Sequence, residues 1–163
     1  MRQFHRFLVS ENLRGDDPTR IVASPKTQRA LPRVMSVEQV DRLLALAEQE
    51  AQADAQKHLR LYVLIEMLYA TGMRVTELVS LPVAAARGDP EMILVRGKGD
   101  KERLVPLSAP ARDALAAWLV ARDASDGAAR NRHLFPGRGR DGHVTRVWFH
   151  GLLKTLAAKA GLD

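Results

Sequence analysis

The sequence predicts a mainly α-helical fold with one small β-hairpin, an α+β class. Two observations carry this. Apolar residues recur at helical spacing in several segments after residue 35, and residues that cap helices stand at the start of most of them. Residues 92–107, "MILVRGKGDKERLVPL", instead form two β-rich runs around a Gly-rich basic turn, the pattern of a hairpin. A chain of 163 residues, 46% hydrophobic and 27% charged, is ordinary globular material, long enough for one domain with a core and a remnant of another.

Residues 3–13, "QFHRFLVSENL", place Phe4, Phe7, Leu8 and Leu13 on one face of a short helix that "GDDP" ends. So short a helix is marginal by itself, and its apolar face needs a partner. The next stretch, "TRIVASPKTQRALPRV", has two prolines and no sustained period, so it reads as an extended basic linker. The expected organisation is residues 1–25 as the terminal helix of an N-terminal domain otherwise cut away, 26–35 as linker, and 36–163 as the main domain.

Ser36 opens that domain. "SVEQ" fits a capping box, with Gln39 reaching back to Ser36, and Val37, Val40, Leu43, Leu44 and Ala47 mark one face of the helix behind it. Residues 58–70 form a more apolar helix, central to the core through Leu61, Val63, Leu64, Ile65, Met67 and Leu68, with Gly72 as its C-terminal stop. "RVTELVSL" is a short helix with Arg74 in its first turn. The hairpin pairs 92–96 with 103–107. Ser108 caps the helix "SAPARDALAAWLVAR", residues 123–142 are loop interrupted by the apolar "HLFP", and Thr145 caps the last helix, with Gly161 beyond its end. Trp118 and Trp148 fall on these amphipathic helices as core residues, and Tyr62 and Tyr69 read as core or near-core.

No run approaches the roughly 18 uncharged apolar residues of a membrane helix. The N-terminus has no uninterrupted apolar stretch with a cleavage site, so it is not a signal peptide. Cysteine is absent, which excludes disulfides and thiolate metal sites and is compatible with a reducing cytosol. The formal net charge is +6, and 19 of the 25 basic residues are arginine, a balance that suits an anionic partner such as nucleic acid.

Two motifs can carry chemistry. Arg74 and Glu77 stand three residues apart in "LYATGMRVTELVSL". That spacing serves equally for an exposed ion pair worth under about 1 kcal/mol and for an arginine held by a carboxylate and aimed at a phosphate. In "GKGDKER", Lys98 lies between two glycines, free of steric cover, with Lys101, Arg96 and Arg103 around it. A solvated charged turn satisfies the same pattern. It is not a phosphate-cradling P-loop, because G-x-x-x-x-G-K-[ST] is missing. His5, His58, His133 and His150 have no ligand spacing with carboxylates and read as surface or interface residues, so no metal site is expected.

Taken together, "LYATGMRVTELVSL", the gap of 24 residues from Arg74 to Lys98, "VRGKGDKERLVPL" and "LPRVMSVEQVDRLL" resemble the first half of a tyrosine recombinase catalytic domain of the XerC/XerD type. The likeness continues at both ends. "FHRFLVSENLRGDDPT" is similar to the end of the family's core-binding domain, and "LFP…HVTRVWFHGLLKTLAAKAGL" to the segment before its second motif box. The resemblance implies an incomplete DNA breaking-rejoining domain, a metal-free transesterification on duplex DNA with no cofactor, related recombinase subunits as partners in a tetramer on DNA, no membrane, and a cytoplasmic, nucleoid-associated location. A tyrosine attacks a backbone phosphate to form a 3′-phosphotyrosyl link, two arginines and a histidine stabilise the transition state, and a hairpin lysine protonates the leaving 5′-oxygen. Arg74 would be the first arginine and Lys98 that lysine, with Glu77 as support. Preorganised donors of this kind contribute factors of about 10²–10³ in rate. Lys26, Arg29, Lys101, Arg103, Thr145 and Arg146 would contact DNA, as phosphate-positioning residues rather than sequence readers.

The chain also departs from that pattern. No tyrosine follows Arg74. His143 to Arg146, "HVTR", has the family's His-x-x-Arg spacing, but it sits at a helix N-cap in the segment that precedes the family's box. The expectation is a fragment of a recombinase, catalytically inactive by itself, which when full length serves chromosome dimer resolution or DNA integration. A naturally short DNA-binding module that occupies recombination sites or caps a full-length partner is the alternative. A helical protein-interaction domain is the reading from outside the family.

Overall fold

The computed structural model describes residues 1–23, 34–87, 91–97 and 102–162. Lys26, Arg29, Lys98 and Lys101, and with them most of the expected linker, lie outside the described residues. The chain divides into two compact units, Met1–Val34 and Met35–Asp163.

In the first unit, helix α1 spans Arg2–Ser10. It ends where Asn12 turns left-handed (φ 54°) and the amides of Leu13 and Arg14 both donate to the Leu8 carbonyl. No residue of α1 is buried, and Phe4, Phe7 and Leu13 of the expected apolar face are exposed.

The second unit is built around one helix. Helix α2, Val37–Ala53, begins with the expected capping box: the Gln39 amide donates to Ser36 Oγ at 3.3 Å, and the Ser36 amide to Gln39 Oε1 at 2.9 Å. Leu43, Ala47 and Ala51 are its buried stripe, while Val37, expected on that face, is 64% exposed because the first turn overhangs the core. Asp54 separates α2 from helix α3, Ala55–Thr71, and its carboxylate accepts the Lys57 amide at 3.2 Å. Helix α3 is apolar nearly all round and packs against α2 on one side and helix α6 (Ala109–Asp123) on another. Val63, Leu64 and Met67 are fully buried, and each such side chain contributes about 1.5–3 kcal/mol. Tyr62 is half-buried. Tyr69 is 56% exposed, which corrects the expectation of a near-core residue: it falls on the outer side of the last turn of α3, between Leu68 and Ala70, which pack against the core.

Beyond α3 come two short helices, α4 (Val75–Val79) and α5 (Val83–Ala86). The hairpin comes next as strands β1, Met92–Arg96, and β2, Glu102–Pro106, antiparallel in the register Ile93↔Val105 and Val95↔Arg103. The second strand begins one residue earlier than its β-rich run suggested. Ile93, Val95 and Val105 are buried against the helices, so Arg103, opposite Val95, shares their face. Helix α6 starts at Ser108, whose Oγ accepts the Ala111 amide at 3.4 Å. Helix α7, Asp126–Ala129, is a single turn inside the stretch expected to be loop. Its neighbour "HLFP" is core: Leu134 and Phe135 are fully buried, and Trp118, half-buried, stacks on Phe135 and donates its indole N–H to the Leu134 carbonyl at 3.0 Å. Helix α8, Arg146–Lys159, is capped by Thr145 Oγ1, which accepts the Trp148 amide at 3.1 Å, and the chain turns left-handed at Gly161 (φ 68°).

Arg122 holds the 131–133 segment onto α6. It is 1% exposed, donates from Nε and Nη2 to the His133 carbonyl at 3.3 and 3.1 Å and from Nη2 to the Asn131 carbonyl, and pairs with Asp123 at 2.7 Å. His133 is buried rather than on the surface; burial lowers its pKa, and its Nδ1 has no hydrogen-bond partner among the described residues. His58 lies 3.2 Å from Glu50 across the α2–α3 corner, a carboxylate neighbour that linear spacing concealed.

Candidate functional site

The site begins with the turn that ends α3. Thr71 Oγ1 donates to the Met67 carbonyl at 2.5 Å and accepts the Met73 amide at 3.3 Å. Gly72 between them is left-handed (φ 59°), where a Cβ would be strained. Met73 then plugs into the core at 3% exposure, which turns Arg74 outward. Arg74 is the N-cap of α4, with extended backbone (φ −68°, ψ 143°), and does not lie in the first turn as the sequence suggested. The backbone enters the helical region one residue later than the apolar pattern implies.

Glu77 organises the start of α4. Its Oε2 accepts the Arg74 amide at 3.0 Å and its Oε1 accepts Arg74 Nη1 at 2.9 Å, closing the N-terminus of that helix as a capping carboxylate does. From the hairpin, Arg103 donates Nη2 to Oε2 at 2.8 Å and Nη1 to Oε1 at 3.4 Å. The Glu77 side chain is 9% exposed, against 71% for Arg74 and 41% for Arg103. The hydrogen bonds from Arg103, and after them those from Arg74, hold the Glu77 carboxyl down at about 2, against the opposing effect of burial. A two-armed carboxylate thus fixes two guanidinium groups from different elements and leaves Arg74 largely open to solvent. Such an arrangement can present fixed N–H donors to an anion.

Among the described residues, then, Arg74, Glu77 and Arg103 come together. Thr145 and Arg146 lie at the start of α8, both exposed. Arg146 adjoins the Arg74 turn: with Val147 and Phe149 it lines a cleft of about 370 Å³ shared with Leu68 and with Val75, the residue after Arg74. His143 does not join them. It bonds through Nδ1 to the Val144 carbonyl at 2.7 Å and its ring meets that of His133 edge-on at 5.0 Å. The tie from Arg103 to Glu77, across 26 residues of sequence, went unseen in the spacing; the signal that could have found it is the hairpin alternation, which sets Arg103 on the inward face with Val105.

The chain has clear relatives. The phage integrase family profile matches residues 33–163. The tyrosine recombinase XerD of Brucella suis biovar 1 (strain 1330) is 54% identical over 167 residues, covering 99% of this chain. This chain spans 54% of that relative's length. Among solved structures, that of XerA recombinase superposes with a TM-score of 0.66 at 26% identity, over 96% of this chain and 50% of that one. The XerH site-specific recombinase bound to its difH substrate in a pre-cleavage complex gives 0.67 at 26% identity, over 82% of this chain and 38% of that one. The helices and the two-stranded sheet therefore sit in a known frame, and the chain belongs to the phage integrase family, where its likeness is to the XerC/XerD-type tyrosine recombinases.

Proposed function

We propose that this chain binds duplex DNA and supplies the phosphate-holding half of a site-specific recombinase active site. The observation that carries this reading is Arg74, fixed at the N-cap of α4 by the shared carboxylate Glu77 and otherwise open to solvent. Arg74 donates to a non-bridging oxygen of the scissile phosphate and stabilises the charge that builds up as a nucleophile adds. A tyrosine oxygen forms the new bond to phosphorus as the bond to the 5′-oxygen breaks. Lys98, between the two strand segments in sequence, protonates that leaving oxygen, and the proton lost by the tyrosine hydroxyl to solvent is regained by the lysine from solvent, so charge and protons balance. Glu77 keeps the Arg74 fork in place. Arg103, Thr145, Arg146, Lys101, Lys26 and Arg29 position the backbone by contacts to other phosphates.

Support comes from membership of a recombinase family, from the XerH relative bound to its difH substrate, and from the basic, arginine-rich composition. The tyrosine nucleophile and the second arginine-histidine box are not among these 163 residues: Tyr62 and Tyr69 both precede Arg74 on α3. The 163-residue chain alone is therefore expected to bind DNA without cutting it. In the full-length protein the activity is strand exchange through a 3′-phosphotyrosyl intermediate, in company with related subunits, serving chromosome dimer resolution or DNA integration.

Two measurements on the 163-residue chain test this. Binding to a labelled duplex, monitored by anisotropy, should fall steeply as salt rises; no binding at low salt would remove the DNA reading. Incubation with a nicked suicide duplex should give no covalent band on a denaturing gel, and a phosphotyrosyl adduct would overturn the assignment of these residues to half a site.

A further inference from the structure

A second cavity opens at the α8 N-terminus and shares no lining residue with the cleft beside the Arg74 turn. It has a volume of about 730 Å³, and its lining includes Arg60 of α3, Trp148 and Thr145 of the α8 start, and Asn131, Arg138 and His143 of the preceding loop. Among the described residues no carboxylate lines it.

Arg60 is the unusual member. It stands in a largely apolar stretch, "HLRLYVLIEMLYA", where it is the one basic side chain besides His58, and it is half-buried. Its guanidinium carbon sits 4.5 Å from the centroid of the Trp148 ring, and Nη1 donates to the Pro136 carbonyl at 3.1 Å. Among the described residues it has no carboxylate partner, and burial, unopposed, lowers its pKa. A guanidinium that loses water without gaining an anion is held at a cost. Stacking on Trp148 fixes the plane of the fork, and with one N–H on Pro136 the other donors have no partner among the described residues.

Arg138 is presented to the same space by a pinned loop. Gly137 N donates to the Gly142 carbonyl at 3.1 Å, Gly142 N to the Gly139 carbonyl at 3.0 Å, and the Asn131 side-chain amide to the Gly142 carbonyl at 2.7 Å. Gly137 permits this closure, since a Cβ there would stand 2.2 Å from the His143 carbonyl oxygen. Arg138 is exposed and, among the described residues, has no ionic partner.

We propose that this cavity is a phosphate seat, in which Arg60 from the floor and Arg138 from the rim hold one backbone phosphate of bound duplex DNA beside Thr145. Planar forks from two elements suit a phosphodiester, whose two non-bridging oxygens accept paired N–H donors. The seat rests on the DNA-binding reading of the Arg74 site and extends it: the duplex is gripped at Arg74 and again beyond the start of α8.

The experiment uses the 163-residue chain and its Arg138→Ala, Arg60→Gln and Arg60→Lys variants, with Arg42→Ala on the exposed side of α2 as control. Duplex affinity is measured by anisotropy across a salt series. Arg138→Ala touches no packed group, so it should keep the wild-type melting temperature, bind several-fold more weakly, and lower the slope of log K against log salt by about 1. Arg60→Lys should bind more weakly than wild type despite its retained charge, and Arg42→Ala should match wild type. Should Arg60→Gln fail to fold, Arg138→Ala and Arg60→Lys still decide. Wild-type binding with unchanged affinity and slope in both would overturn the seat and leave the DNA reading standing. Absence of wild-type binding would overturn both. In a second arm, inorganic phosphate is titrated while the Trp148 indole resonance is tracked by NMR. A saturable shift that Arg138→Ala abolishes, with duplex binding untouched by either variant, would assign the seat to a free phosphate compound and overturn the duplex as its source.

Discussion

Glu77 holds Arg74, three residues before it in the chain, and Arg103, on the hairpin, with one nearly buried carboxylate. The two contacts close α4 at its start and tie it to β2, so the arginine turned toward solvent is positioned by tertiary structure as well as by its own helix. Loss of Glu77 should therefore act in two places.

The first prediction concerns acid stability. The Glu77 carboxyl titrates at about 2 in the folded chain, below its ordinary 4.5. A depressed carboxylate adds stability above its unfolded pKa and loses that addition as pH falls through the folded one. Melting temperatures of wild type and Glu77→Gln should differ by a constant amount above about pH 5, and the gap should shrink between about pH 4.5 and 2. A gap independent of pH would show that the carboxylate charge is not what matters.

Arg74→Ala should leave the fold nearly as it was. The side chain is 71% exposed, and an exposed pair contributes under about 1 kcal/mol. Urea denaturation should move by no more than that, while duplex binding weakens and its salt slope falls by about 1. A large loss of stability would make Arg74 a structural residue.

Arg122→Met should be costly. The substitution leaves the Asn131 and His133 carbonyls without their buried donor, each unsatisfied group costing about 1–3 kcal/mol. Urea denaturation should show a loss of about 2–4 kcal/mol, and a neutral result would mean that the segment repacks around methionine.

Gly137→Ala should destabilise the loop that carries Arg138. Its Cβ would meet the His143 carbonyl oxygen at 2.2 Å, and backbone must move to relieve the overlap. A loss of about 1–3 kcal/mol is expected on denaturation, with the amides of 137–144 exchanging faster by hydrogen-exchange NMR. Unchanged exchange there would place the strain elsewhere.

Much of the fold was legible because its signals are local. The Ser36–Gln39 box, the Ser108 and Thr145 caps, Gly72, the apolar run of α3 and the alternating strands each act within a few residues of chain. The single-turn helices α5 and α7 were not legible: four residues hold less than two periods, and packing against neighbours stabilises them. The same limit applied to side chains. Tyr69 and Val37 have core-like surroundings in sequence, yet both are exposed, because which side of a helix faces the core is set by the elements packed on it.

The sequence by itself determined the longer helices, where most of them begin, and that Arg74 and Glu77 stand together, because spacing along the chain sets those relationships. Only the tertiary structure decided that Arg103 shares Glu77, that Arg122 is buried on the 131–133 carbonyls, and that Arg60 lies over Trp148. Those contacts join residues 26, 11 and 88 positions apart. They arise when elements close around a common core, and nothing in the local pattern of either partner encodes the other.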